Sequence, residues 1–280
     1  MAKTYVEVLS GASSFLEAAG KEGFAIEYLF LERKGWDKTQ WLMHMREEIS
    51  EEEQRVIKSD LDQLMLDIPP SYMLGYSYFL NHRLKVNQHT LIPRPETEEL
   101  VMTCLEMSSV SSPLRVVDIG TGTGAIAISL KLARPNWTVT GLDISADALA
   151  VAKENAQLLG AEITFYQSDV LNAVNEPQDI IISNPPYISK DEWSLMDQSV
   201  RKYEPKGALF AEKDGLAVYQ RIAQEGPALL KPTGMLFLEI GFQQGKAVKE
   251  MMQQAFPDKS VTVRKDLSGN DRIVVVSNMQ

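Results

Sequence analysis

From Val6 to about Met65 apolar residues recur at spacings of three and four, broken at Gly20, Gly23 and Gly35. That rhythm predicts several short amphipathic helices rather than one long one. Short helices bury their apolar stripes only by packing on one another, so the segment is expected to form a small bundle with Trp36, Trp41, Met43 and Met45 in its core. Ser50 ahead of Glu51-Glu52-Glu53 reads as an N-cap and an acidic first turn, since a hydroxyl accepts from free amides and carboxylates suit the positive end of a helix. The pair Pro69-Pro70 then stops the helical pattern, because proline lacks the N–H and restricts the residue before it.

Beyond Tyr76 the period changes. Tyr78-Phe79-Leu80 and Leu84-Lys85-Val86 flank Asn81-His82-Arg83 and predict a β-hairpin. In Pro93-Arg94-Pro95-Glu96-Thr97-Glu98-Glu99 the prolines fix an extended approach and the acids open a helix to about Met107. After the loop Ser108–Pro113 strands are expected at Leu114–Ile119, Trp137–Leu142, Ile163–Gln167, Asp179–Ser183 and Met235–Ile240, with helices at Ala125–Ala133, Ala146–Leu159 and Leu216–Leu230. Strand alternating with helix implies an α/β, doubly wound, mostly parallel sheet of Rossmann-like type. Val261–Val263 and Arg272–Ser277, either side of the turn-rich Asp266–Asn270, add an antiparallel edge and bring the sheet to seven strands. The expected organisation is a helical bundle over residues 1–75, a hairpin linker over 76–92 and the sheet domain over 93–280.

Composition narrows the chemistry. Of 280 residues 44% are hydrophobic and 24% charged, the balance of a packed globular protein. No stretch approaches the ~18 apolar residues of a membrane span and the first residues lack a signal-peptide core, so a cytoplasmic protein with no membrane partner is expected. A net charge of −10 opposes general attraction to nucleic acid, although a local basic patch is compatible with it. The single cysteine, Cys104, lies among apolar residues of a helix and is expected to be packing; a metal site is not expected.

Two motifs carry chemistry. Val116-Val117-Asp118-Ile119 leads into Gly120-Thr121-Gly122-Thr123-Gly124 and then a helix. Alternate glycines let backbone approach a ligand, but the spacing differs from the G-x-G-x-x-G that receives a pyrophosphate on a helix N-terminus. Asp118 can order the turn and meet an ammonium group directly or through water. The next strand ends at Asp143, ~20 residues on, where a carboxylate accepts from ribose hydroxyls. The loop Ser168-Asp169-Val170 can edge an adenine. A nucleoside bearing an ammonium and no phosphate fits S-adenosylmethionine.

The second motif, Asn184-Pro185-Pro186-Tyr187, ends the fourth sheet strand, at the edge where open α/β sheets bind ligands. The Asn184 side chain and the Pro185 main chain offer two carbonyl acceptors, stiffened by the prolines, and Tyr187 can pack on a planar group. Two acceptors suit an NH₂ group. An amide nitrogen is a weak nucleophile because its lone pair is delocalised, and hydrogen bonds from both of its hydrogens localise that density as a methyl group arrives. Proximity then supplies much of the rate. His44, His82 and His89 are expected outside the sheet domain, in packing or surface roles.

The two motifs together resemble the amino-methyltransferases, whose acceptors include adenine, cytosine and protein glutamine. Ile92-Pro93-Arg94-Pro95-Glu96-Thr97-Glu98 resembles the signature of the HemK/PrmC family, the peptide chain release factor glutamine methyltransferases. Tyr72, Gly75, Tyr203-Glu204-Pro205, Ala208-Leu209, Asp214-Gly215-Leu216, Glu239-Ile240-Gly241, Asp266-Leu267, Gly269 and Arg272 fall where that family has them. The likeness runs from about Pro70 to the C-terminus; the bundle agrees in size and position. It implies a class I methyltransferase fold, with Gly120, Thr121, Gly122, Thr123, Gly124, Asp143, Val170 and Asn184 binding S-adenosylmethionine. Asn184, Pro185, Pro186 and Tyr187 would hold the glutamine of a Gly-Gly-Gln loop in class I release factors, docked with help from the bundle. Ser71, where glutamine is expected, and Val170, where an aromatic can cover adenine, depart from the pattern. Other readings are a nucleic-acid amine methyltransferase, which must flip a base, a methyltransferase of another protein glutamine such as one in a ribosomal protein, and a non-catalytic adaptor.

Overall fold

A computed structural model describes residues 3–279, apart from the Leu195 side chain. In chain order come α1 (Tyr5–Ala18), α2 (Phe24–Lys34), α3 (Lys38–His44), α4 (Glu51–Met65) and α5 (Pro70–Leu74), then the hairpin β1 (Tyr76–Phe79) and β2 (His82–Lys85). They are followed by α6 (Pro95–Met107), β3 (Arg115–Ile119), α7 (Ala125–Ala133), β4 (Thr138–Asp143), α8 (Ala146–Leu159), β5 (Thr164–Gln167) and β6 (Gln178–Ser183). The rest is α9 (Gln198–Tyr203), α10 (Lys206–Leu209), α11 (Ala217–Leu229), β7 (Leu230–Glu239), α12 (Gly245–Ala255), β8 (Lys259–Lys265) and β9 (Asp271–Asn278). The chain divides into two compact units, one running to Tyr76 and including Asp197–Tyr203, the other holding Ser77–Met196 and everything from Glu204.

The first unit is the helical bundle. Its core gathers Leu9, Leu16, Ile26, Leu29, Phe30, Trp41, Ile57 and Leu64, with Tyr5, Phe30, Trp36 and Trp41 in edge or tilted ring contacts at 5.4–6.4 Å between centroids. Met43 is not in that core; it is 70% exposed. Helix α3 is short and Trp41 occupies its buried face, and a residue two positions on lies about 200° around a helix, on the far side. Ser50 caps α4 reciprocally with Glu53, as capping-box chemistry requires. Pro69-Pro70 does more than stop a helix, because Pro70 takes the first position of α5, where a missing N–H costs nothing. Across the bundle Arg33 of α2 grips the buried Asp60 of α4 with two hydrogen bonds, at 2.9 and 3.0 Å. Segment α9 belongs to this unit: Lys202 Nζ and the Tyr203 hydroxyl both donate to the carbonyl of Leu66, at 2.8 and 2.9 Å.

The second unit is built on a seven-stranded sheet in the order β5-β4-β3-β6-β7-β9-β8. Strands β5 to β7 pair in parallel through β4, β3 and β6, while β9 pairs antiparallel with both β7 and β8. The central strands are buried on both faces, as Val116, Val117, Ile180, Ile181, Ile182 and Leu236–Leu238 illustrate; helices cover each side, so these strands read as continuous apolar runs. Each such side chain removed from water contributes about 1.5–3 kcal/mol. Cys104 lies in this core, and burial pushes its thiol up to about 12, a packing residue rather than a nucleophile. Helix α12, which no expected element covered, buries Val248 and Met252 one turn apart among polar neighbours.

The hairpin packs on this sheet unit, with Phe79 and Leu84 buried in its core. Asn155 of α8 holds it there by accepting the Lys85 N–H at 2.7 Å and donating back to the Lys85 carbonyl at 3.0 Å. His82 and His89 therefore fall inside the sheet unit rather than outside it; the His89 ring lies 3.7 Å from the Asp147 carboxylate, at the surface. Among the described residues no helix is long and apolar enough to cross a membrane.

Candidate active site

Strand order reverses between β3 and β6: from β3 the chain winds outward through β4 and β5, and from β6 it winds the other way. Ligands in open α/β sheets sit outside the carboxyl ends of strands at such a switch point. Ile119 at the end of β3 is in register with Ser183 at the end of β6, and the Ser183 hydroxyl donates to the Ile119 carbonyl at 2.7 Å. The glycine loop and the Asn-Pro-Pro-Tyr segment, 64 residues apart at this bond, thus leave the sheet side by side.

In the loop Gly120, Gly122 and Gly124 have φ of +71°, +55° and +82°, a region L side chains avoid. A Cβ on Gly120 would meet nothing within 4 Å and one on Gly122 only the loop's own carbonyl at 3.9 Å, so this face of the backbone is open to a ligand. Below it Asp118 is completely buried and accepts the Thr121 hydroxyl at 2.6 Å. Burial pushes its carboxyl up to about 7, against the pull of Thr121 and the Ala127 amide. Asp118 orders the turn, and its enclosure removes it from direct contact with a ligand. Thr123 is also buried, and its carbonyl accepts from the Asn155 side chain at 2.9 Å. One asparagine therefore joins hairpin, helix α8 and glycine loop.

Asp143 at the end of β4 accepts the Gly122 N–H at 2.9 Å through one oxygen and the Ser145 N–H at 2.9 Å through the other. Burial raises its pKa while the amides of Ser145, Gly122 and Ile144 hold it down. Each carboxylate oxygen keeps a second lone pair for an outside hydroxyl. Val170 adopts φ +53°, an outlier for a β-branched residue, and buries its side chain in the core around Leu171, Ile119 and Tyr219. What it can offer a ligand is main chain. The strained turn is held by the Ser168 hydroxyl donating to the Val170 carbonyl at 3.0 Å and by Glu225 accepting the Leu171 N–H at 3.0 Å.

At the end of β6, Pro185 is buried while Asn184, Pro186 and Tyr187 are half-buried. The Asn184 amide donates to the Thr97 hydroxyl of α6 at 2.9 Å, so its carbonyl oxygen points away from Thr97. Thr97 in turn donates to Glu239 at the end of β7, at 2.7 Å. Tyr187 is held through its main chain: Gln244 donates to its carbonyl at 3.0 Å while accepting the Gly241 N–H at 3.0 Å. Burial pushes the Tyr187 phenol up to about 12, with Glu239 adding to the effect and Arg272 opposing it. It stays neutral, a flat apolar surface with a polar tip.

Four residues to which the motifs assign no role brace the site. Glu204 is buried, accepts the Ile92 N–H at 3.1 Å and ion-pairs with Arg94, fixing the proline-rich approach to α6. Arg272 joins Asp266 at 3.1 Å to the Ile240 carbonyl at 3.1 Å, bracing the end of β7. Thr97 and Glu239 meet Asn184 only through tertiary structure; their sole trace in the sequence was membership of the family's motifs.

Comparison with known proteins agrees with this geometry. The family model for the methyltransferase small domain matches residues 96–212 and that for the PrmC N-terminal domain matches residues 7–75. A release factor glutamine methyltransferase of Enterococcus faecalis is 60% identical over 276 residues, 98% of this chain and 99% of its own. The chain belongs to the release factor glutamine methyltransferase family. A member from Bacillus subtilis is 40% identical over 279 residues, 97% of each chain. Among solved structures a methyltransferase from Pyrococcus furiosus shares the fold at a TM-score of 0.55 and 15% identity, covering 79% of this chain and all of that one. The sheet unit is therefore a class I methyltransferase fold. Its open glycine face, the spare lone pairs of Asp143 and the main chain at Val170 fit the methionine backbone, ribose and adenine of S-adenosylmethionine, and no group in the loop is arranged for phosphate.

Proposed function

We propose that this enzyme moves a methyl group from S-adenosylmethionine to the side-chain amide nitrogen of the glutamine in the Gly-Gly-Gln loop of class I peptide chain release factors. The observation that carries the NH₂ acceptor is the orientation of Asn184. With its NH₂ given to Thr97, its oxygen is the end left for an incoming donor. Asn184 Oδ1 and the Pro185 carbonyl accept the two amide hydrogens of the substrate, Pro186 keeps both acceptors rigid, and Tyr187 packs on the amide plane. Gly120–Gly124 receive the amino-acid end of the cofactor, Asp143 the ribose hydroxyls, and the Val170 main chain edges the adenine; Asn184 lies where cofactor and substrate meet.

When bound, the sulfonium supplies an activated methyl group and a neutral thioether leaving group. The nitrogen–carbon bond forms as the carbon–sulfur bond breaks, and the amide gives up one proton to solvent. Hydrogen bonds from both amide hydrogens oppose delocalisation of the lone pair, and fixed geometry supplies the remainder without a covalent enzyme intermediate. The relatives' printed names support the acceptor, and the net charge of −10 favours a protein over a nucleic-acid partner.

Incubation of the purified enzyme with methyl-labelled cofactor and a class I release factor, followed by peptide mass spectrometry, is expected to put one label on the Gly-Gly-Gln glutamine. Label confined to nucleic acid or to another protein refutes the acceptor. Asn184→Ala should abolish transfer while largely sparing cofactor binding; wild-type turnover in that variant rejects the two-acceptor arrangement.

A further inference from the structure

Asn184, Thr97 and Glu239 form a directional relay. Thr97 carries a single hydroxyl hydrogen, which goes to Glu239 at 2.7 Å; its oxygen can then only accept, and it accepts from the Asn184 amide at 2.9 Å. An asparagine amide is otherwise free to turn over, because its terminal torsion is broad and roughly two-fold. Turned over, Asn184 would offer NH₂ to the NH₂ of the substrate, donor against donor. The direction of the whole chain is set at its far end. An ionised carboxylate has no proton to give, so Glu239 forces Thr97 to donate to it and thereby forces Asn184 to present oxygen. Both Thr97 and Glu239 are almost fully buried, Glu239 to 1% exposure, where water cannot substitute for either partner.

We propose that Thr97 and Glu239 are positioning residues for methyl transfer, acting as a polarity lock that determines which end of the Asn184 amide faces the substrate nitrogen. The proposal rests on the two-acceptor reading of Asn184 given above. It also gives a role to a carboxylate placed where burial opposes its charge: an apolar residue would fill the space and leave the amide unaligned.

The charge on Glu239 has identifiable neighbours. Arg272 of β9 and Arg94 ahead of α6 favour it, Glu96 of α6 opposes it, and the phenols of Tyr187 and of Tyr219 on α11 stay neutral. Burial dominates and pushes the carboxyl up to about 7. Above that pH the lock is set. As pH falls through it, a protonated Glu239 can donate to Thr97, whose hydrogen is then released toward Asn184, and the preference for the productive orientation is lost.

The test compares Thr97→Val, Thr97→Ser, Glu239→Gln and Asn184→Ala with the wild type, measuring kcat, KM for the release factor, cofactor affinity and the pH–rate profile. Thr97→Val removes both hydrogen bonds at constant shape and should lower kcat about tenfold, with cofactor affinity unchanged. Thr97→Ser keeps the hydroxyl and should restore most of the rate. Glu239→Gln should abolish the acidic limb near pH 7. Wild-type kcat in Thr97→Val, or equal impairment of the serine variant, overturns the lock. So does persistence of that limb in Glu239→Gln, which decides the matter even if Thr97→Val does not fold. If Asn184→Ala is inactive while Thr97→Val is normal, the lock falls and the two-acceptor reading stands; if Asn184→Ala turns over normally, both fall.

Discussion

Gly215 offers a sharp test of how far the Tyr187 segment controls the reaction, because a side chain there would press on the main chain of Tyr187. Its φ is +80° and a Cβ built on it would lie 2.1 Å from the Tyr187 carbonyl oxygen, 2.9 Å from the Tyr187 carbonyl carbon and 2.6 Å from Gln244 Nε2. Real Cβ atoms essentially never come within 3.0 Å of such atoms, so in Gly215→Ala the carbonyl must retreat by about 1 Å, and it is backbone that cannot rotate aside. The retreat also breaks the 3.0 Å hydrogen bond from Gln244 that holds this carbonyl. Two costs follow. The left-handed backbone adds roughly 1–2 kcal/mol to the folded state, a shift in Tm of a few degrees. A displacement of about 1 Å in a positioning segment costs on the order of a hundredfold in rate. The assay is initial-rate methylation of a release factor at saturating cofactor, with calorimetry of cofactor binding alongside. The expected signature is a large fall in kcat with cofactor affinity within about twofold, since the glycine loop is untouched. A variant that folds, binds cofactor and turns over at the wild-type rate would refute the argument that Tyr187 must be held where it is.

Other consequences are equally open to measurement. Asp143→Ala removes the acceptor proposed for the ribose and frees the Gly122 and Ser145 amides; at about 1.5–3 kcal/mol for hydrogen bonds to a charged group, calorimetry should record a loss of roughly ten- to a hundredfold in cofactor affinity, and unchanged binding removes Asp143 from that role. The Asp118 carboxyl rises from 3.8 to about 7 on folding, so the native state holds more protons and this group lowers stability as pH climbs through that window. Relative to wild type, Asp118→Asn should gain on the order of 3 kcal/mol between pH 4 and pH 8 in denaturant unfolding, and a difference independent of pH would contradict the burial argument. In the bundle, Arg33→Ala leaves the Asp60 carboxylate buried without its two hydrogen bonds; because Arg33 is itself 37% exposed, a loss of about 2 kcal/mol is expected rather than the 3–5 of a deeply buried pair, and a melting curve matching wild type would show the pair to be idle.

Sequence by itself determined whatever depends on neighbours along the chain. The alternation of strands and helices, the cap at Ser50 and the three glycines of the loop follow from periodicities and φ/ψ preferences that act within a few residues. The two motifs were legible because each is contiguous and each ends a strand, and parallel topology then sends those ends to one edge. Met43 went astray because seven residues of helix have one narrow buried side and Trp41 already filled it. Only the tertiary structure decided that Val170 turns its side chain into the core and leaves main chain to the site, since the direction of a strained turn is set by Ser168 and by Glu225, which bonds the next residue from 54 positions away. The same holds for the relay at the centre of the site. Thr97 lies 87 residues from Asn184 and 142 from Glu239, and no periodicity reaches that far. Its members meet because α6, β6 and β7 converge at one sheet edge, and the direction of the hydrogen bonds follows from the carboxylate that convergence places at the end of the chain.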